Sequence, residues 1–255
     1  RISQADQRRL YDIGIRTVGD LASSDVNDLQ TKLEDWPFDK LVRFNNQARV
    51  LVSQEPLVLK KPNFPEVKYE VYFDIESDPT RDIHYLLGVL VKDTNTNSTE
   101  YKYFFANNKE EEPLIWKKFL DFLVGLDDFV IYHYAYMEKV VFDLFALKYG
   151  APSGLISKFK ENTIDLYIHT VESVVLPLYF YSLKDVAGYI GYKWDDPEAG
   201  GAESVVWYNE WLETKSDNLL KKLLKYNEDD VRATLAIKEW LSKQGPSKKR
   251  ERLEE

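Results

Sequence analysis

The stretch Leu219–Leu241, LLKKLLKYNEDDVRATLAIKEWL, constrains this chain more than any other. Its apolar residues recur at helical spacing, through Leu219, Leu223 and Tyr226 and then Ala233, Ile237 and Trp240. Asp230 falls on the same stripe, where the pattern asks for a core residue. Asp229 lies about 100° further round the helix and is expected to face water. A buried carboxylate is costly unless an opposite charge compensates it. A divalent cation does so, and Tyr226, one turn earlier, projects beside the acid.

A cation needs further carboxylates. The stretch Tyr69–Asp78, YEVYFDIESD, reads as a strand. Residues two apart in a strand share a face, so Asp74 and Glu76 point the same way and Ile75 the other. Another acid, Glu138, follows Phe129–Ala135, a short apolar strand running into a helix. Glu138 heads a stripe with Phe142, Phe145 and Tyr149 and is expected to face inward.

D-x-E on a first strand, an acid after a fourth and Y-x-x-x-D on a last helix resemble the DEDD 3′–5′ exonucleases of the ribonuclease H-like superfamily. Tyr226 and Asp230 mark the tyrosine branch; His84, His133 and His169 lie outside the histidine-branch pattern. The resemblance runs from about Val67 to Leu241. IYHYAYMEK, the serine-leucine-lysine-aspartate within Tyr181–Ala187, AGGAESVVWYNEWLE and YNEDDVRAT are similar to the exonuclease domain fused to RecB-type nucleases. One departure is chemical. Tyr134 and Glu138 stand where the family has Asn-x-x-x-Asp, and glutamate, one methylene longer, can still reach a metal.

The resemblance implies an α/β fold, a ribonuclease H-like mixed sheet flanked by helices. It implies two divalent ions, Mg²⁺ or Mn²⁺, which suit hard oxygen ligands. Asp74 would bridge both ions, Glu76 and Asp230 would bind the ion that activates water, Glu138 would act on the second, and Tyr226 would orient the attacking water. The implied activity is hydrolysis of phosphodiester bonds from the 3′ end of single-stranded nucleic acid, DNA favoured over RNA, in DNA repair or processing. An RNA exonuclease with the same site, and a catalytically silent binding or scaffolding domain, stay open as alternatives. His133 and Tyr134 adjoin the site and are candidates for stacking on a terminal base or sugar, with core packing the equal alternative for the tyrosine. Lys184 is a candidate for phosphate contact, with a solvated lysine as the default alternative. Asp165 is expected to be structural or to stand behind the metal ligands.

Residues 1–58 read as all helical. Leu10–Ala22 is similar to a helix-hairpin-helix unit, with a Gly14-Ile15 turn and a second helix capped by Thr17 with Asp20 in a capping box. That likeness implies a DNA phosphate held by hairpin amides and the second helix's N-terminus, with Arg16, Lys32, Lys40 and Arg43 the basic residues to test first. The alternative is a small helical domain that only packs on its neighbours. Residues 59–66, rich in proline and lysine, read as a linker, 67–244 as the exonuclease domain and 245–255 as a charged tail. Within 67–244, three strands, with a hairpin turn at Asp93–Ser98, precede an alternation of helices and strands, which is an α/β layout.

The chain has 255 residues and no cysteine, which excludes a disulfide scaffold and a thiolate zinc site and fits a reducing, cytoplasmic interior. No apolar run approaches the roughly 20 residues that span a bilayer. The formal net charge of −9 argues against a broadly basic nucleic-acid binder, but bound cations would reverse the local field of an acidic site. The first residue is Arg1, and the chain is read as part of a larger multidomain polypeptide.

Overall fold

A computed structural model describes residues 2–245. The tail expected after Gly245 lies outside the described residues. In chain order the helical start is α1 (Gln4–Asp12), α2 (Val18–Ser23), α3 (Val26–Lys32) and α4 (Phe38–Ser53), followed by β1 (Leu57–Val58). Next come β2 (Tyr69–Asp78), β3 (Ile83–Asp93), β4 (Thr99–Phe105), α5 (Glu112–Val124) and β5 (Phe129–His133). The rest is α6 (Met137–Tyr149), α7 (Ser153–Glu161), β6 (Thr163–Asp165), α8 (Leu166–Ser173), β7 (Val174–Val175), α9 (Leu183–Tyr189), α10 (Gly201–Thr214) and α11 (Asp217–Ser242).

The chain forms two compact units, one built from the residues up to Pro62 with Thr170–Tyr181, the other from Asn63–His169 and Ser182–Lys243. In the first, Leu10, Leu21, Leu29, Leu33, Trp36, Leu41 and Phe44 meet in a small core. Gly14 takes φ +90° at the hairpin turn, a conformation that glycine adopts without strain. Thr17 and Asp20 form the expected capping box on α2. The Asp20 carboxylate accepts the backbone N–H groups of Arg16 (2.9 Å) and Thr17 (2.8 Å), so a side-chain anion already occupies these amides. The end of the stretch read as all helical is instead a short strand, since β1 pairs antiparallel with β7. The segment read as linker is tied at its start, where Leu59 N and Lys60 N donate to Ser173 O (2.8 and 3.3 Å). The Gln47 amide also donates to the carbonyls of Leu176 (2.9 Å) and Leu178 (3.2 Å). These bonds explain why Thr170–Tyr181 clusters with the helical start.

The second unit holds a five-stranded mixed sheet in the order β4-β3-β2-β5-β6, with β4, β3 and β2 antiparallel and β2, β5 and β6 parallel. Alternation along β2 separates two chemistries. Val71 and Phe73 enter an apolar core with Leu87, Val89, Phe119, Ile131, Phe142 and Phe145. Glu70, Tyr72, Asp74 and Glu76 take the opposite side, where Glu70 accepts from Tyr72 Oη (2.7 Å) and ion-pairs with Lys238 of α11. The registered pairing of β5 with β2 stops at Tyr72, two residues before Asp74. The β2–β3 register shifts just after Glu76. The acids therefore lie where β2 outruns its parallel neighbour, at the carboxyl end where open α/β sheets leave a crevice.

Tyr208 and Trp211 of α10 are buried with Tyr85 and Leu223, so the aromatic cluster on that helix is core. Among the described residues, no helix is long and apolar enough to cross a membrane.

Candidate metal centre

Strand β2 delivers Asp74 and Glu76, and the amphipathic stripe of α11 delivers Asp230. One carboxylate oxygen from each lies within 4.8 Å of those of the other two. Glu76 and Asp230 are buried and Asp74 is partly so. Burial, reinforced by Glu76, Asp230 and Glu138, holds the Asp74 carboxyl well above the usual carboxylate range. Burial, and then the Asp230 charge, pushes Glu76 up to about 8. Burial raises Asp230 to about 6, opposed by hydrogen bonds from Trp194 and Tyr226 and by the Lys184 charge. Crowded acids that resist ionisation mark a place where a positive charge is wanted.

Each acid is held by a neighbour. Asn227 Nδ2 donates to Asp74 Oδ2 (2.7 Å), while Asn227 Oδ1 accepts from Tyr101 Oη (2.8 Å). Asp74 is registered opposite Gly88 on β3, and a Cβ at Gly88 would come within 1.6 Å of Asn227 Oδ1. The missing side chain is what lets the asparagine reach Asp74. Ser204 Oγ donates to Glu76 Oε2 (2.8 Å) and accepts from Tyr85 Oη (3.0 Å). Trp194 Nε1 donates to Asp230 Oδ1 (2.6 Å).

Glu138, in the first turn of α6, is buried as expected but stands outside the three-acid cluster. Its Oε2 lies 3.3 Å from His133 Nδ1, and neither atom has a hydrogen-bond partner. Its charge still acts on Asp74 and Glu76. Tyr226 is buried, with its ring edge-on to Trp207, and its phenol is raised far above its ordinary value by burial and then by Asp230. It stays protonated and acts as a donor.

Of the residues expected to contact nucleic acid, His133 is a correction. It is 2% exposed and turned toward Glu138, so its ring has no open face for a base. Tyr134 is 9% exposed and packs edge-on against Tyr167, which is the core alternative. Lys184 Nζ lies 5.5 Å from the ring centroids of both Trp194 and Tyr226, beside the site. Arg16 is exposed on the helical unit. Asp165 has the structural place expected of it, its Oδ1 accepting from Ala135 N (3.0 Å) and Tyr167 N (2.9 Å).

Asp229 corrects the expectation that it faces water. It is 4% exposed and accepts from Asp195 N (3.0 Å), Tyr192 Oη (3.4 Å) and Lys225 Nζ (2.9 Å). Asn227, Ser204, Trp194 and Asp229 were not legible as site residues. Only Gly88, a glycine inside an apolar strand, signals that another group comes close.

Asp74, Glu76 and Asp230 give a hard, all-oxygen donor set, with the unpartnered Glu138 oxygen nearby, and this suits Mg²⁺ or Mn²⁺ rather than a soft metal. A mixed sheet with converging acids on its central strand and closing helix defines a nuclease-like, metal-dependent hydrolase of ribonuclease H-like fold. The family model RNase_H_2, described as RNase_H superfamily, matches residues 71–242, and the chain belongs to that superfamily. The match leaves out α1–α4. No curated protein and no solved structure gave a match.

Proposed function

We propose that the protein is a 3′–5′ exonuclease acting on single-stranded nucleic acid, DNA in preference to RNA, in repair or processing. The observation that carries this reading is the convergence of Asp74, Glu76 and Asp230 one helical turn beyond Tyr226. Asp74, Glu76 and Asp230 would hold two divalent ions, with Glu138 completing the acidic ring. Ions bound there supply an activated water and neutralise the charge that builds on a phosphodiester.

The chain's own groups position and shield. Asn227, Ser204 and Trp194 fix the carboxylates, so the donor set is ordered before a substrate arrives. The Tyr226 phenol, kept protonated by burial and then by the Asp230 charge, can orient a water or a phosphate oxygen by donating to it. Lys184 brings positive charge to the same edge of the site, where a phosphate would lie. On the helical unit, the exposed Arg16 would contact a nucleic-acid phosphate.

The test is incubation of 5′-labelled single-stranded DNA and RNA with Mg²⁺ or Mn²⁺. The expected result is progressive shortening from the 3′ end, faster on DNA, abolished by EDTA and by Asp230→Ala. Undiminished cleavage by Asp230→Ala would remove Asp230 from the site. Cleavage of RNA alone would assign the enzyme to RNA.

A further inference from the structure

The loop from Gly191 to Gly200 is tied to α11 at two adjacent acids. Gly191, at φ +93°, turns the chain out of α9. Tyr192 Oη and Asp195 N both donate to Asp229, and Lys225 Nζ bridges Asp229 (2.9 Å) and Asp195 (3.2 Å). Lys222 pairs with Asp196 at 3.1 Å. Apart from the Lys222–Asp196 pair, these contacts secure the loop through Asp229, the residue before the metal-site acid Asp230. Trp194 differs from them. Its indole N–H passes the anchoring acid and donates to Asp230 Oδ1 at 2.6 Å.

We propose that Trp194 is a positioning residue for the metal centre, an inference that rests on the metal-site reading above. An indole has one donor and no acceptor, so it can only hold a carboxylate oxygen and cannot compete for the cation. The bond restrains rotation of the Asp230 carboxylate about its Cβ–Cγ axis. It engages Oδ1 and does not occupy Oδ2. The ring is itself held by an edge-on contact with Tyr192 at 4.9 Å and by Lys184 over its face at 5.5 Å. The donor therefore arrives oriented, and the Asp230 ligand is ordered without its own rotamer having to be fixed on metal binding. A donor behind a metal-ligating carboxylate typically changes metal affinity by roughly tenfold or more.

Calorimetric titration of the full chain with Mn²⁺ tests this, alongside Trp194→Phe, Tyr192→Phe and Asp74→Ala. Tyr192→Phe removes a loop anchor that does not touch Asp230, so it reports what loosening the loop does by itself. The expected result is an affinity about tenfold weaker in Trp194→Phe, unchanged in Tyr192→Phe and lost in Asp74→Ala. Intrinsic fluorescence gives a second readout: Mg²⁺ should perturb an emission component that is absent from Trp194→Phe. Should that variant misfold by circular dichroism, benzothienylalanine at position 194 removes the N–H and keeps the ring shape, with the same loss of affinity expected. Wild-type affinity in either position-194 variant, or an equal loss in Tyr192→Phe, overturns the positioning role. Undiminished binding by Asp74→Ala would instead overturn the metal-site reading.

Discussion

Asp74, Glu76 and Asp230 ionise reluctantly because each is desolvated and faces the others, and replacing any one should remove metal-dependent activity. Glu138 stands further off and acts through charge, so its loss should be graded. Glu138→Gln is expected to lower kcat by roughly ten- to a hundredfold while leaving the fold intact, as measured by initial rates and circular dichroism. Glu138→Asp should keep or raise activity, since it restores the acid usual at that position in the resembling exonucleases. An unaffected Glu138→Gln would place the residue outside the chemistry. Asp74, Glu76 and Asp230 were legible because strand alternation and helical spacing are local rules. Trp194 was not, because its partner is 36 residues away and nothing nearby in the chain marks the contact.

Strand β3 and helix α11 meet at Gly88, and the fit there is close. A methyl group at position 88 would displace the Asn227 side chain from its bonds to Asp74 and Tyr101. Gly88→Ala should destabilise the protein by about 1–3 kcal/mol in urea unfolding and weaken catalysis together with it. Adding Asn227→Ala relieves the clash, so the double variant should be more stable than Gly88→Ala alone, a non-additivity expected of groups in contact. Simple additivity would contradict the packing described. The same element pair shows why Asp229 misled: helical angle placed it toward solvent, but the loop from Gly191 to Gly200 covers that face. Helices α7 and α8 were likewise not anticipated. Ser153–Glu161 follows Gly150 and Pro152, which signal a helix end, and Leu166–Ser173 begins directly at the end of a short strand.

Across the whole molecule the acidic cluster should be visible in stability. Folded carboxyls at about 6 for Asp230 and about 8 for Glu76, above their unfolded values near 4, mean that the native state binds more protons than the unfolded chain through that window. Their contribution is complete below about pH 4 and is lost as pH rises through 6 and 8. For the metal-free protein, thermal unfolding should show this loss between pH 5.5 and 8.5, and Asp230→Asn should flatten the trend. Mg²⁺ binds the ionised acids, so it should raise Tm more at pH 8.5 than at pH 5.5. An equal shift at both values would mean that the cation binds elsewhere. At this scale the mixed sheet was legible from the order of strands and helices. The grouping of Thr170–Tyr181 with the helical start was not, because it depends on β1–β7 pairing and on the Gln47 amide across more than a hundred residues. The central claim is that Asp74, Glu76 and Asp230 share a divalent cation. Anomalous diffraction from crystals of the full chain grown in Mn²⁺ tests it most directly. A manganese peak at coordination distance from all three carboxylates is expected; saturating Mn²⁺ with no peak between them would contradict it.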